Sequence, residues 1–266
     1  EAQRVNYQNG SDKKIFVVPV NLNYNFVLEA PSLIREYLRR KGRERYYVST
    51  EQYTTSYKIF AFLLKFFTKQ AEISVTIGHT MDLFGNYVNE EGESIGKLDK
   101  VIDPKQYFMK NNEIVFDKQR DEEYTRLLSQ RIVEEFHKNA EVLPSILIAF
   151  VAFNVLKNKF KSLDLYEFLR LTDEELELDY EEFKEQVANI IEVLKKMEEQ
   201  GQLLLAPEFE KSVDEIVAIG LKNLGMYHSK RPLITNNEGN IFVQDLNLLY
   251  FYHNRLVGYN LEDYVG

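Results

Sequence analysis

Cysteine is absent from the sequence, which excludes disulfide bonds, thiolate zinc sites and a cysteine nucleophile. Histidine is scarce, and no two of its four positions have the HxH or HExxH spacing of a metal site. The longest apolar run, Leu143–Leu156, is interrupted by Ser145 and Asn154 and is shorter than the roughly 18–20 residues of a spanning helix. We therefore expect no metal, no cofactor and no membrane-spanning helix. The four histidines are His79, His137, His228 and His253.

Basic residues are fewer than acidic ones. The chain has 33 lysines and arginines and 42 aspartates and glutamates, which gives a net charge of −9. Such a surface repels phosphate backbones, so the composition disfavours nucleic acid as a partner. Apolar residues make up 44% and charged residues 28% of the 266 residues, which is typical of a globular protein with one large domain or two smaller ones. The polar stretch Glu1–Gln8 is unlike a signal peptide, so a cytoplasmic location is expected.

The N-terminal part combines strand and helix patterns. The β-branched run Ile15–Val20 predicts a buried strand, and Glu72–Ile77 predicts a second strand. Between them, Ser32–Lys41 predicts a helix with Ser32 as its N-cap. Strand, helix and strand in this order predict an α/β unit with parallel pairing. The segment Gly85–Lys105 is polar and contains glycine, so we interpret it as a loop or linker.

Two basic features of this part each have two interpretations. In the helix predicted at Thr55–Thr68, the apolar residues pack on the sheet, or the helix lies on an anionic membrane with its lysine stripe toward the lipid. An arginine cluster lies on and after the helix Ser32–Lys41. In one interpretation it binds anionic lipid or a CoA phosphate, and in the other its side chains are only solvated charges of a surface helix. These basic residues are Lys58, Lys65 and Lys69, and Arg35, Arg39, Arg40, Arg43 and Arg45.

From Asp117 onward the pattern becomes helical. Capping residues, a proline at Pro144 and glycines after helix ends delimit these elements, and Thr172 and Glu175 have the spacing of a capping box. The predicted helices are Asp117–Lys138, Pro144–Lys159, Asp179–Gln200, Ser212–Gly225 and Asp245–Val257. The predicted hairpins are Tyr107–Met109 with Ile114–Phe116, and Pro232–Thr235 with Asn240–Val243.

Four segments carry recognisable motifs, in this order along the chain. Val17–Asn25 (VVPVNLNYN) has a V-P-V strand followed by a tyrosine, and Ile73–Val88 (ISVTIGHTMDLFGNYV) has a strand that runs into His79-Thr80. Leu128–Phe153 is similar to a helix, an N-x-x-x-V-x-P-[ST] corner and a second apolar helix, and Asp245–Leu256 is similar to an L-x-x-Y-x-x-N helix. Together these segments resemble the membrane-associated glycerol-3-phosphate acyltransferases of bacteria and mitochondria, although His79-Thr80 stands where that family has E-P.

The catalytic motif of that family, H-x-x-x-x-D, is absent from this chain. In the family its His acts as general base on the glycerol hydroxyl that attacks the acyl thioester, and its Asp orients the imidazole. No histidine here is followed five positions later by aspartate, and His79 and Asp82 are only three positions apart. The phosphate-recognising E-G-T-R motif is also missing, since Glu91–Ser94 resembles only its start. The resemblance therefore implies the C-terminal portion of a longer enzyme, without a catalytic residue of its own.

The resemblance implies an α+β fold, in which residues 1–105 are the C-terminal part of an α/β acyltransferase layer and residues 117–266 form a mainly helical domain with short hairpins. The longer enzyme would transfer an acyl group from acyl-CoA or acyl-carrier protein to glycerol-3-phosphate in phospholipid synthesis. Implied partners are its N-terminal catalytic part, the acyl donor and an anionic membrane surface, bound peripherally at the inner face. The implied substrate-binding residues, at the edge of the acyl or glycerol-phosphate pocket, are Val18, Pro19, Val20 and Tyr24.

Other interpretations stay open. The run Val17–Val20 (VVPV) has two interpretations. It is only a core strand, or Pro19 ends the pairing of this strand and turns the end of the strand toward the substrate. In a second interpretation, the helical part is a non-enzymatic interaction or regulatory module. Alternatively, helices near 145–158, 162–170 and 179–200, followed by a strand at Leu203–Ala206, have the order of a winged helix with the third helix as the DNA reader. Glutamates on that helix would repel DNA; they are Glu181, Glu182, Glu185, Glu192, Glu198 and Glu199.

Overall fold

A computed structural model of the protein describes residues 1–40, 73–171, 176–236 and 239–266. Several predictions fall outside these ranges and stay predictions. They concern the helix Thr55–Thr68 with its lysines, the capping pair Thr172 and Glu175, and Arg43 and Arg45 of the arginine cluster. Within the ranges that are described, no helix combines the length and the apolar character needed to span a membrane.

Helices dominate the C-terminal half, and short strands are spread along the whole chain. The α-helices of the described ranges are α1 (Ala2–Gln8), α2 (Ala30–Arg40), α3 (Lys118–Lys138), α4 (Pro144–Lys159), α5 (Leu165–Phe168), α6 (Tyr180–Glu199), α7 (Val213–Asn223) and α8 (Leu246–His253). Short 3-10 helices lie at Lys97–Asp99, Pro104–Phe108, Pro207–Glu210 and Glu262–Tyr264. The strands are β1 (Val20–Tyr24), β2 (Ile73–Ile77), β3 (Tyr87–Val88), β4 (Ser94–Ile95), β5 (Val101–Ile102), β6 (Met109–Lys110), β7 (Glu113–Ile114), β8 (Glu141–Val142), β9 (Glu177–Leu178), β10 (Leu204–Leu205), β11 (Leu233–Thr235) and β12 (Ile241–Val243).

Residues 1–22 and 75–140 form one compact unit. It contains a three-stranded antiparallel sheet in the order β3-β4-β5 and the hairpin β6-β7. Aromatic rings pack beside these strands, where Phe84 stacks on Tyr107 with ring centroids 4.3 Å apart. Helix α3 contributes Tyr124, whose ring meets Phe84 edge to face at 4.9 Å. The unit is therefore held together largely by aromatic contacts between its turns and α3.

The segment Gly85–Lys105, which the sequence predicts to be a loop or linker, forms the three-stranded sheet instead. A tight turn joins its first two strands, because Asn89 Oδ1 accepts the Glu93 N–H at 2.8 Å. Strands of two residues show no alternation of polar and apolar side chains, so the pattern could not reveal them. The hairpin predicted around Asn111-Asn112 is confirmed as β6-β7. Both asparagines have left-handed φ values, 52° and 64°, as a type I′ turn requires.

Strands β1 and β2 pair with each other in a two-stranded sheet. The backbone bonds beside them run antiparallel, since Val17 and Met81 exchange both of their N–H···O bonds, at 2.8 and 2.9 Å. The predicted parallel pairing is therefore wrong, because an apolar pattern reports burial and does not encode strand direction. The strand expected at Ile15–Val20 begins only at the last of these residues, whereas the second strand is confirmed at Ile73–Ile77.

The second compact unit, residues 23–74 and 141–266, is built around α4. Every residue from Pro144 to Leu156 is buried, because the helix is apolar on all sides and can be stable only where other elements surround it. Helices α6, α7 and α8 contact it, and α2 contacts α8. The core of this unit therefore lies on and around a single helix.

The second unit also contains the antiparallel sheet β11-β12-β9, with β12 in the centre. The strand predicted at Leu203–Ala206 is present as β10, which pairs with β8 outside this sheet. The strand β9 has only two residues, so no pattern in the sequence predicts it.

Capping signals in the sequence located most helix starts. Asp117, Asp179 and Asp245 each accept a hydrogen bond from the backbone N–H three residues later. Ser212 and Glu215 form the predicted capping box, so the starts of α3, α6, α7 and α8 are confirmed. Three boundaries differ. Helix α2 begins two residues before its predicted N-cap, α7 ends two residues before its predicted end, and α8 ends four residues before its predicted end.

The described chain mixes helices with short sheets, and its fold class is α+β. The compact units divide the chain at other positions than the predicted domains, because α3 belongs to the unit of residues 1–22 and 75–140. The sequence places α3 with the helical residues 117–266. The assignment of 1–105 and 117–266 as domains stays a prediction.

Gly220, on α7, allows a close approach of α7 to α4. A Cβ at this position would meet Ile148 and would lie 2.8 Å from the Pro144 carbonyl oxygen, which belongs to backbone and cannot move aside easily. Gly220→Ala should therefore lower the free energy of unfolding by about 1–3 kcal/mol, although alanine is the better helix former by about 1 kcal/mol. Urea unfolding followed by circular dichroism measures the change. Ala218→Val, on the exposed side of the same helix, is the control and should have a smaller effect. A stabilised Gly220→Ala variant would contradict the close approach.

Candidate functional site

The four predicted substrate-binding residues lie close together in the sequence but differ in their exposure. Val18 and Val20 are each 47% exposed, Pro19 is buried, and Tyr24 is half-buried. Alternate residues of a strand point to opposite faces, so Pro19 faces away from Val18 and Val20. Tyr24 belongs to the second compact unit, and the other three belong to the first.

Pro19 does not end the pairing of its strand, contrary to expectation. Its carbonyl accepts the Gly78 N–H at 2.8 Å, because proline lacks only the donor and keeps its acceptor. The expectation of a buried strand is also wrong for one of its two faces, since Val18 and Val20 are exposed. Pro19 thus belongs to the packed face, and its role in substrate binding stays a prediction.

One face of the β1–β2 sheet is exposed and apolar. We call it the open sheet face; its members are Val18, Val20, Leu22, Val75 and Ile77, and they are between 47% and 68% exposed. On the other face, the side-chain amide of Asn21 donates to the carbonyl of Phe136 in α3 at 2.8 Å. Among the residues that the structure describes, the sheet is therefore packed on one side only. An exposed row of aliphatic side chains is typical of an interaction surface.

Tyr24 lies beneath an arginine. The guanidinium carbon of Arg255 is 5.0 Å from the centroid of the Tyr24 ring, which is a cation–π distance. Phe26 meets the same ring edge to face at 6.3 Å. Arg255 lies in Asp245–Leu256 and Tyr24 in Val17–Asn25, so this contact joins two of the segments that carry the family resemblance.

A second group of polar side chains surrounds Glu135, on α3. The Tyr87 hydroxyl donates to Glu135 Oε1 at 2.7 Å, and the backbone N–H of His79 donates to Oε2 at 3.2 Å. The ring Nδ1 of His79 lies 3.4 Å from the same Oε2. Lys138 Nζ is 3.6 Å from Oε1, and Asn139 Nδ2 is 3.2 Å from Oε2. The Glu135 side chain is 2% exposed, whereas that of His79 is 76% exposed.

The charge state of this group follows from its contacts. Burial raises the pKa of the Glu135 carboxyl, but the hydrogen bonds from Tyr87 and His79 and the charge of Lys138 outweigh burial, so that its pKa is lowered overall. Burial and the neighbouring Glu135 raise the pKa of the Tyr87 hydroxyl, which therefore stays a donor. The result is an ionised buried carboxylate that faces an exposed imidazole.

The sequence did not reveal this pair, because the two residues are 56 positions apart. A catalytic motif with a fixed spacing along the chain cannot include such a pair, and the spacing of His79 and Asp82 does not fit the family motif. Asp82 has another role, since its carboxylate accepts the backbone N–H groups of Phe84 and Asn86 and so fixes a turn. The only signal in the sequence was His79 itself, at a position where the resembling family has another residue.

Comparison of the chain with protein-family models, with curated proteins and with solved structures finds no match.

Two further histidines lie in the core of the second unit. His228 Nε2 is 2.9 Å from the hydroxyl of Tyr252, which accepts the Val27 N–H at 3.0 Å. The His253 ring stacks on Phe150, with centroids 5.3 Å apart. Burial lowers the pKa of His228 to about 4 and that of His253 to about 4, with the Asn254 side chain opposing the shift at His253. Across the described ranges, no three acidic or histidine side chains are grouped as a metal site requires.

The open sheet face should be tolerant of polar substitution. Replacing Val75 and Ile77 by threonine should change the free energy of unfolding by less than about 0.5 kcal/mol each, because both side chains already contact water. The same changes should lower the fluorescence of the dye ANS, which binds exposed apolar surface. Met81→Ala, next to the sheet but fully buried, is the contrasting control and should cost about 2–5 kcal/mol. Strong destabilisation by the threonine variants would mean that the face is covered.

The buried histidines should make the second unit sensitive to acid. Above pH 6.5 both rings are neutral in the folded and unfolded states, so neither costs stability. As the pH falls from about 6.5 to about 4, the unfolded chain takes up protons that the folded chain does not, and the free energy of unfolding decreases. The loss is about 3 kcal/mol per histidine and levels off below pH 4.

Thermal or urea unfolding measured between pH 7 and pH 4 tests this dependence. His253→Phe keeps an aromatic ring against Phe150 and removes one titrating group, so the stability of this variant should fall less steeply with acid. His137→Gln, on the exposed side of α3, controls for the loss of a surface histidine. Equal slopes for His253→Phe and the unmodified protein would contradict the assigned pKa.

Proposed function

We propose that this chain is the C-terminal part of a glycerol-3-phosphate 1-O-acyltransferase and that by itself it does not catalyse the transfer to glycerol-3-phosphate. In this proposal the longer enzyme transfers an acyl group from acyl-CoA or acyl-carrier protein to glycerol-3-phosphate in phospholipid synthesis. The N-terminal catalytic part supplies the H-x-x-x-x-D and arginine motifs that this chain lacks. The observation that carries the proposal is the open sheet face, which is formed by two of the segments that resemble the family.

The pairing of these segments supports the proposal. Val17–Asn25 and Ile73–Val88 are far apart in the sequence, yet they form one sheet through β1 and β2. Segments whose likeness to a family arose by chance have no reason to be neighbours in space. A further pair of resembling segments is joined by the contact between Tyr24 and Arg255.

The exposure of the sheet supports the need for a further layer. In β1 and β2 the aliphatic side chains alternate with polar ones, which is typical of a sheet with one apolar face. Among the described residues, α3 lies on the side of Asn21, and the aliphatic side is uncovered. The N-terminal catalytic part is the proposed cover of the open sheet face. Val18 and Val20 would then lie at its boundary with the substrate pocket.

The proposal includes a cytoplasmic location with peripheral contact at the inner membrane face. It does not include nucleic acid as a partner. The helix before the hairpin, α7, exposes Asp214 and Glu215, and these charges repel phosphate groups. The exposed aliphatic side chains of β1 and β2 also suit a second candidate, an interaction or regulatory module that acts through protein contacts.

Association with the catalytic part should depend on the open sheet face. The double variant Val20→Asp, Ile77→Asp should bind the separately produced N-terminal part at least about a hundredfold more weakly, because two aliphatic contacts are lost and two charges are buried. Isothermal titration calorimetry measures the dissociation constants. Val133→Asp is the control, since this α3 side chain is 51% exposed but lies outside the open sheet face. Equal weakening by the control and the double variant would contradict the proposal.

The purified chain alone should not acylate glycerol-3-phosphate. A positioned base contributes on the order of 10²–10⁴-fold, and without the arginine motif the substrate phosphate is not oriented for attack. A radiolabelled transfer assay with acyl-CoA and acyl-carrier protein donors should give no turnover above a heat-inactivated control. Addition of the N-terminal part should restore turnover, and the Val20→Asp, Ile77→Asp variant should not support it. Turnover of glycerol-3-phosphate by the chain alone would show that a complete active site is present.

A further inference from the structure

The proposed function leaves the His79 and Glu135 pair without a role, because it assigns catalysis to another part of the enzyme. Both residues lie in the unit of residues 1–22 and 75–140. Gly78 links them to the sheet, since its N–H donates to Pro19 and a Cβ on it would lie 2.8 Å from the amide of Asn139. The pair is therefore held between the end of β2 and the end of α3.

The position of the proton follows from the partners of Glu135. An ionised carboxylate only accepts hydrogen bonds, so the proton between Glu135 Oε2 and the His79 ring is on Nδ1. In a neutral ring the lone pair is then on Nε2. The His79 side chain is 76% exposed, and no residue of the described ranges forms a hydrogen bond with Nε2. The free nitrogen is thus available to a ligand.

A purely structural role does not require the imidazole. The backbone N–H of His79 already donates to Glu135 at 3.2 Å, and any residue at position 79 would supply this N–H. Tyr87 shields one side of the ring, with centroids 5.3 Å apart. A carboxylate that fixes Nδ1–H and leaves Nε2 open is the arrangement in which histidine acts as a base.

We propose that His79 and Glu135 form a general-base pair that acts on esters or thioesters. In the step, the O–H of a water or alcohol gives its proton to His79 Nε2 while its oxygen bonds to the carbonyl carbon. The bond from that carbon to the leaving oxygen or sulfur breaks, and the imidazolium returns the proton to the leaving atom. Glu135 is the positioning residue, and its charge stabilises the imidazolium. The proposal that the substrate is an ester or thioester rests on the proposed function. The proposal that His79 and Glu135 act as a base does not.

Nitrogen-15 NMR of the whole chain tests the position of the proton. In the unmodified protein at a pH where His79 is neutral, its Nδ1 should carry the proton. Glu135→Gln should shift the population toward the Nε2–H form, which an unconstrained neutral imidazole favours. Tyr87→Phe should keep the Nδ1–H form, because it leaves the carboxylate in place. A dominant Nε2–H form in the unmodified protein would overturn the assignment.

Cleavage of 4-nitrophenyl acetate by the whole chain tests the activity, since this activated ester needs neither a phosphate site nor the N-terminal part. His79→Gln should lower the rate at least about tenfold, and Glu135→Gln should lower it less. His137→Gln is the matched control and should leave the rate unchanged. General-base attack should slow in D₂O and leave no acetyl group on the protein.

Each outcome decides the inference separately from the proposed function. An unchanged rate in His79→Gln would overturn the pair as a base, and an acetyl group on His79 in a mass spectrum would show that it acts as a nucleophile instead. Neither result bears on whether the open sheet face binds a catalytic part. Conversely, failure of the open sheet face to bind a catalytic part would not change the NMR and ester results. Circular dichroism of each variant ensures that a lower rate does not reflect unfolding.

Discussion

The burial of α4 is the interaction on which the second unit depends. A helix that is apolar on every side loses the hydrophobic stabilisation of about 1.5–3 kcal/mol per large side chain wherever a neighbour is missing, so α6, α7 and α8 must all be in place. The two polar side chains of its buried part, Pro144 to Leu156, both form hydrogen bonds. Ser145 donates to Asn25 at 2.7 Å, and Asn154 donates to the Phe150 carbonyl four residues earlier at 3.0 Å.

The first unit depends on different interactions. Its strands are short, its sheets are small, and turns and aromatic contacts fix their positions. The end of β2 is attached to α3 through a buried carboxylate, Glu135, and not through an apolar contact. Among the described residues, the sheet of β1 and β2 is packed on one side only, so the described part of this unit buries less apolar surface on its strands than a layered α/β domain does.

The parts of the fold that were predictable from the sequence are those that local interactions decide. Caps such as Asp117 and Ser212, and the left-handed turn at Asn111-Asn112, act within a few residues, so their patterns are visible in the sequence. The sheet within Gly85–Lys105 and the strand β9 were not predictable, because two-residue strands are selected by their partners. The residues of the candidate site divide in the same way into those that a local pattern predicts and those that only tertiary contacts bring together. Val18 and Val20 could be named from a motif, but the contact of His79 with Glu135 arises only when β2 and α3 meet.

The identity of the buried group at this meeting point is informative. Breaking a buried charged pair by removal of one partner is strongly destabilising, yet replacing the whole group by apolar side chains of similar volume is often neutral or stabilising. Stability alone therefore gives no reason to keep a carboxylate at the buried position of Glu135, where an apolar side chain would pack. An ionised carboxylate that is 2% exposed, behind an imidazole that is 76% exposed, is the combination that proton transfer needs and packing does not. In the proposed base pair, the carboxylate serves the chemistry of the surface beside β2, and the cost of burying it is offset by the hydrogen bonds that keep it ionised.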